Sequence, residues 1–168
     1  MASLKAAIRS VRFCYIFFMK KIPLTQGKFA LVDDEDYTEL SKYKWYATKG
    51  RNTFYAKNAR MGRIMHRHIL NPPRYKDTDH IDGNGLNNQK INLRLATRSE
   101  NGGNRRLGSN NTSGFKGVHW AKDYRKWKVR IKINRKDIYL GRFSSREEAV
   151  LKYNDAAKKY FGIFARLN

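Results

Sequence analysis

The clearest alternation of apolar and polar positions lies in KWKVRIKIN, Lys126 to Asn134. Its period of two predicts a strand with Trp127, Val129, Ile131 and Ile133 on one face and Lys128, Arg130 and Lys132 on the other. FKGVHW before it predicts a first strand, NRKD a hairpin turn, and IYLGRF a third strand. The period then changes. Ala149, Tyr153, Ala156, Ala157 and Tyr160 recur at helical spacing, Ser144 or Ser145 can cap the helix with Glu147 or Glu148 three residues on, and Gly162 ends it. Residues 113–168 are therefore expected to form a three-stranded antiparallel sheet packed on one α-helix, with the cationic sheet face left open.

Upstream the pattern is more broken. From Ile22 to about Leu70, KFALV, KWYAT, TFYAK and RIMHR read as short strands separated by the turn-like KGRN and NARMG, and the acidic DDEDY as a solvated turn. NPPRY ends that unit, because adjacent prolines neither continue a helix nor sit in a central strand. TDHID then predicts a strand, GNGLNNQK a loop, INLRL a returning strand, and TRSENGGN a short helix capped by Thr97 or Ser99. Residues 106–112 have one apolar member, Leu107, and read as a linker. The fold class is α+β: a leader over 1–21, a short-strand region and hairpin-helix within 22–105 (hairpin-helix about 77–105), the linker, and the sheet-on-helix module at 113–168. No internal repeat is visible.

Composition alters this picture through its charge. The 168 residues hold 36 Lys and Arg against 14 Asp and Glu, a formal +22, which is the footprint of a polyanion binder. The signs segregate: Arg105 to Arg142 carries twelve Lys or Arg against Asp123 and Asp137. The single cysteine, Cys14, excludes an internal disulfide framework and suits a reducing cytoplasm. Lys5, Arg9 and Arg12 before the apolar FCYIFFM imitate a signal peptide, but seven apolar residues cannot span a bilayer and Lys20-Lys21 follows where a small-residue cleavage site is needed. The expectation is a non-structural leader, with Met19 a possible alternative start.

A twisted antiparallel ribbon can enter the DNA major groove. Lys128, Arg130 and Lys132 are spaced for this, with Lys116, His119, Lys126, Tyr139 and Arg142 nearby. From Ser113 onward, SGFKGVHW, KWKVRI, YLGRFSSREEAVLKYNDAAKKYFG and FARLN resemble the AP2 DNA-binding domain. Plant AP2 domains usually have arginine at the positions of Lys116 and His119, so base preference does not carry over.

Nuclease chemistry needs a water aimed at phosphorus, a base for its proton, and a cation for the phosphate oxygens. A hairpin folded onto a helix would gather Asp79, His80, Asn92 and Asn101. Carboxylate and amide oxygens suit Mg²⁺ or Mn²⁺, and neutral His80 suits a base. The spacing resembles the HNH nucleases and their ββα-metal motif, in the His-Asn-Asn version of phage homing endonucleases. IPLTQGKFALVDDEDY, KWYA and MHRHIL resemble the region preceding that motif. The resemblance implies Asp79 as metal ligand, His80 as general base, Asn92 as the residue orienting the histidine, and Asn101 as second ligand, with Asn104 an alternative.

Other readings of these residues are weaker. An EF-hand loop counted from Asp77 meets Asp82 where glycine is needed and Asn88 where glutamate is. His66 and His68 could form a zinc pair on a strand but have no third ligand. Asn110-Asn111-Thr112 matches a glycosylation acceptor with nothing else pointing to secretion. The sequence is therefore expected to encode a monomeric, cytoplasmic endonuclease that acts on double-stranded DNA with one divalent ion, without membrane association or a small-molecule cofactor. An inactive DNA-binding regulator is the alternative. An RNA-binding protein fits less well, because the strand face lacks paired aromatics for stacking bases.

Overall fold

The computed structural model describes residues 19–168. The leader up to Phe18, with Cys14, lies outside the described residues. Strand β1 (Met19–Pro23) pairs antiparallel with β2 (Phe29–Asp33), Met19 opposite Asp33. Residues 19–21, expected in the leader, are thus strand. Helix α1 (Asp34–Leu40) replaces the expected DDEDY turn. Its first turn holds Asp34, Glu35 and Asp36, which favour the positive end of the helix dipole, and Leu40 is buried.

Strands β3 (Tyr46–Lys49) and β4 (Phe54–Lys57) form a hairpin. Helix α2 (Met65–Leu70) lies where RIMHR was expected to be a strand. Met65 and Ile69, one helical turn apart, both pack in the core, a spacing that overrides strand propensity. The helix ends at Asn71, which adopts φ +41° just before the two prolines. Ile22, Ala30, Val32, Leu40, Trp45, Ala56 and Met65 form this first core, and Trp45 Nε1 donates to Leu40 O at 2.8 Å.

Strands β5 (Asp77–His80) and β6 (Leu93–Ala96) pair antiparallel, with Asp79 opposite Arg94. Helix α3 (Arg98–Gly103) follows. Thr97 caps it: its Oγ1 accepts from Glu100 N at 3.2 Å while Glu100 accepts from Thr97 N at 2.7 Å.

Strands β7 (Val118–Ala121), β8 (Lys126–Ile133) and β9 (Lys136–Phe143) form an antiparallel sheet in that order, and α4 (Arg146–Phe161) packs on one face. Ser145 caps α4 by accepting from Glu148 N. Val118, Val129, Ile131, Ala149, Tyr153, Ala156, Ala157 and Phe161 form the second core. The described residues therefore make a mixed α+β fold of four small antiparallel sheets and four α-helices. No helix among them is long and apolar enough to cross a membrane.

The two cores are joined by more than residues 106–112, which are nearly all exposed. Helix α3 rests on α4, so closely that a Cβ on Gly103 would lie 2.5 Å from the Phe161 ring. Arg166 N donates to Gly103 O at 3.1 Å. The C-terminal segment thus returns to the hairpin-helix.

Candidate active site

Residues 81–92 form a tied scaffold. Asp82 accepts from Asn84 N at 2.7 Å, from Asn87 Nδ2 at 2.9 Å and from Asn92 Nδ2 at 3.1 Å. Burial opposes ionisation of Asp82, but these hydrogen bonds outweigh it and hold the carboxyl below its usual range. Gly83 takes φ +74°, and at Gly85 a Cβ would sit 2.5 Å from Phe54 O, so the loop lies hard against β4. On the other side Leu31 N donates to Leu86 O and Asn88 N to Leu31 O, both at 2.8 Å. Asp33 accepts from Lys90 N at 2.7 Å.

This scaffold sets the state of His80. Asn88, completely buried, donates its Nδ2 to Leu86 O at 3.2 Å, which turns its Oδ1 toward His80 Nε2 at 3.3 Å. An amide oxygen only accepts, so Nε2 carries the hydrogen and Nδ1 keeps its lone pair. Burial lowers the His80 pKa, against the opposing Asn88 contact and the nearby Asp82 and Asp79, and favours the neutral ring. Asn92, expected to orient this histidine, makes no direct hydrogen bond to it among the described residues. Asn92 Oδ1 accepts from Asp82 N at 3.0 Å and its Nδ2 donates to Asp82 Oδ1 and Asn87 O. Both ends of that amide serve the loop.

Asp79 is buried beside His80. Arg94, directly across the hairpin, places Nε and Nη2 on its Oδ2 at 2.9 and 2.7 Å. Asn104 Nδ2 donates to Asp79 Oδ1 at 3.0 Å, to Oδ2 at 3.1 Å and to His80 O at 2.8 Å, while Asn104 Oδ1 accepts from Arg166 Nε at 3.2 Å. Asn104 is thereby fully engaged in tying α3 to β5. Asn101 lies one turn earlier on the same helix and is partly exposed, and its side chain makes no hydrogen bond among the described residues.

Buried His66 and half-buried Tyr55 complete the wall. His66 and His80 meet edge to face with ring centroids 4.8 Å apart, and Tyr55 lies 5.6 Å from His66 and 6.0 Å from His80. Burial, then His80 and Arg67, push the His66 pKa down to about 3. His68, two residues along α2, packs against Tyr43 and Trp45 instead. A two-residue step on a helix turns side chains roughly 200° apart, so the weaker reading of a zinc pair, which needed both on one face of a strand, does not hold. The acidic trio Asp33, Glu35 and Asp36 gathers within 4.8 Å, and Lys90 Nζ meets Glu35 at 2.6 Å and Asp36 at 3.1 Å.

The donors around Asp79 fit a hard divalent cation. Asp79 Oδ2 accepts from Arg94 Nε, Arg94 Nη2 and Asn104 Nδ2, whereas Oδ1 accepts from Asn104 Nδ2 alone and keeps a lone pair for a cation. The Asn101 amide on the adjacent helix has no hydrogen-bond partner among the described residues.

The expected DNA-binding residues fall in two places. Lys128 opposes Arg142 and His119, and Arg130 opposes Tyr139, on the open sheet face, with Lys126 exposed at the start of β8. The Arg142 guanidinium lies 3.5 Å from the Tyr124 ring centroid. Lys132 reaches Asp137 at 3.8 Å. Burial, then Arg130 and Lys128, lower the His119 pKa. Lys116 is elsewhere: its Nζ donates to Arg105 O and Arg166 O in a crevice of about 370 Å³ beside residues 105–112. Burial and then Arg166 push its pKa down to about 8.

The fold thus presents a buried aspartate-histidine pair on a hairpin closed by a helix, in a strongly basic chain. No family model matches the chain. It is 33% identical over 150 residues to an uncharacterized HNH endonuclease of Acanthamoeba polyphaga mimivirus, spanning 85% of this chain and 76% of that protein. It is also 39% identical over 90 residues to Protein 3.8 of Escherichia phage T7, spanning 52% of this chain and 72% of that one. The chain belongs to the HNH endonuclease family.

Proposed function

We infer that the protein is a divalent-metal-dependent endonuclease that hydrolyses phosphodiester bonds in duplex DNA. The observation that carries the reading is the adjacency of Asp79, a buried carboxylate, and His80, a neutral imidazole whose Nδ1 holds a free lone pair. Family membership and the +22 charge support DNA as the substrate. Asp79 and Asn101 would hold the ion, with Asn104 and Arg94 fixing the carboxylate. When bound, Mg²⁺ or Mn²⁺ neutralises the non-bridging and leaving oxygens of the phosphodiester.

The chain's own groups handle the proton. His80 Nδ1 takes it from the attacking water, and the Nε2–H bond to Asn88 Oδ1 strengthens as the ring becomes cationic. Asn92 contributes by holding the loop that carries Asn88. The sheet of β7 to β9 acts as an AP2-like reader, through Lys126, Lys128, Arg130, Lys132, Tyr139, Arg142 and His119 on its open side. Lys116 reaches DNA only at the rim of its crevice. Spread by homing follows from the resemblance to phage homing enzymes.

Supercoiled plasmid incubated with Mg²⁺ is expected to be nicked or linearised, and with EDTA to stay intact. Binding without cutting in either condition, or with Mn²⁺, would identify an inactive regulator instead. Arg130→Ala is expected to weaken duplex binding and reduce the slope of log affinity against log salt by about 1. Unchanged affinity and slope would remove the sheet face as the reader.

A further inference from the structure

Two lines of contact run from the end of the chain into the Asp79-His80 site. In the first, Ile163 O accepts from Arg94 Nη1 at 2.7 Å and the Phe164 ring centroid lies 4.1 Å from the Arg94 guanidinium, whose Nε and Nη2 both rest on Asp79 Oδ2. In the second, Arg166 donates Nε to Asn104 Oδ1 and Nη2 to Ile81 O, each at 3.2 Å, and Asn104 spans both Asp79 oxygens and His80 O. Both lines begin past α4, in the module that carries the cationic sheet, and both end on one carboxylate.

The guanidinium of Arg94 is a planar fork, and its grip on Asp79 is fixed only while the fork itself is fixed. Ile163 and Phe164 provide that restraint. The Asn104 amide presents its NH₂ to Asp79 and His80 O, and Arg166, by donating to the amide oxygen, holds the other end of the group and disfavours the flipped amide. Neither line passes through the sheet face proposed to meet DNA.

We propose that the segment Ile163 to Arg166 positions the ion-binding carboxylate, acting through Arg94 and Asn104, so that the cutting module reaches its working geometry only with the reader docked on it. The proposal rests on the reading of Asp79 as a metal ligand. Arg166 and Phe164 are positioning residues and touch no reacting atom.

The test compares full-length wild type, Phe164→Ala, Arg166→Ala and Arg166→Lys. In the metal-free protein, amide hydrogen exchange over residues 79–83 is expected to quicken in all three variants, while β7 to β9 keep wild-type exchange. Mn²⁺ affinity measured without DNA, and plasmid cleavage, are expected to fall about 10- to 100-fold, as for other partners of metal ligands. Duplex affinity in EDTA should stay at the wild-type level. Arg166→Lys keeps the charge and loses the fork, so wild-type behaviour from it would mean charge alone matters and would overturn the positioning role. Wild-type exchange over 79–83, or wild-type Mn²⁺ affinity, in Phe164→Ala and Arg166→Ala would also overturn it. A wild type that neither binds Mn²⁺ nor cuts sinks the nuclease reading instead, and faster exchange in the variants would still support the coupling of the segment to the hairpin.

Discussion

His80→Ala is expected to lower plasmid cleavage by about 10²- to 10⁴-fold, the usual contribution of a positioned general base, and to leave duplex affinity in EDTA unchanged. The first effect follows from losing the only group on the hairpin with a free lone pair directed by a fixed tautomer. The second follows because DNA binding is assigned to the open sheet face and the overall charge. His80 also packs against His66 and Tyr55, so alanine leaves a gap. His80→Gln fills more of that space and should be as inactive as the alanine variant. Cleavage at the wild-type rate by either variant would remove His80 from the mechanism.

Acidification gives the second large effect, and His66 is its source. In the folded protein this imidazole stays neutral down to about 3, while in the unfolded chain it takes up a proton near 6.5. Between those values the unfolded state binds more protons, so stability is present above about 6.5 and falls as pH drops toward 3. From pH 7 to pH 5 His66 alone should account for a loss of roughly 2 kcal/mol. Because the folded ring is still neutral at pH 5, this figure does not depend on the lower value. Urea unfolding at the two pH values should show a clearly smaller loss for His66→Phe than for wild type. Equal losses would place the acid sensitivity elsewhere.

The sequence displayed some of these elements better than others, for physical reasons. Strands β8 and β9 and helix α4 were legible because each buries one face, which imprints a period of two or 3.6. The α1 and α2 segments carry no clear helical period because both are short. DDEDY looks like a turn until Leu40 is seen to anchor it, and RIMHR looks like a strand until Met65 and Ile69 are seen to share a core. At the site, Asp79 and His80 stood out as an adjacent pair. The partners of that pair did not. Asn88 was one asparagine among several in a polar loop, and only the stitching of that loop to Leu31 selects it. Arg94 meets Asp79 through hairpin register, which the turn at Lys90 to Asn92 hides from simple counting. Arg166 lies 62 positions from Asn104, a separation that no local pattern bridges.

The bare backbone of Gly103 against Phe161 has a consequence for where a cut would fall. With no spacer between the two helices, the bases held by the sheet and the bond under attack would stand at a fixed offset and a fixed rotational phase along the double helix. Such a protein would act as a ruler, breaking one step at a set distance from its recognition bases, whereas a loosely tethered blade would scatter its breaks. Grafting a foreign reader through residues 106–112 alone would discard that calibration.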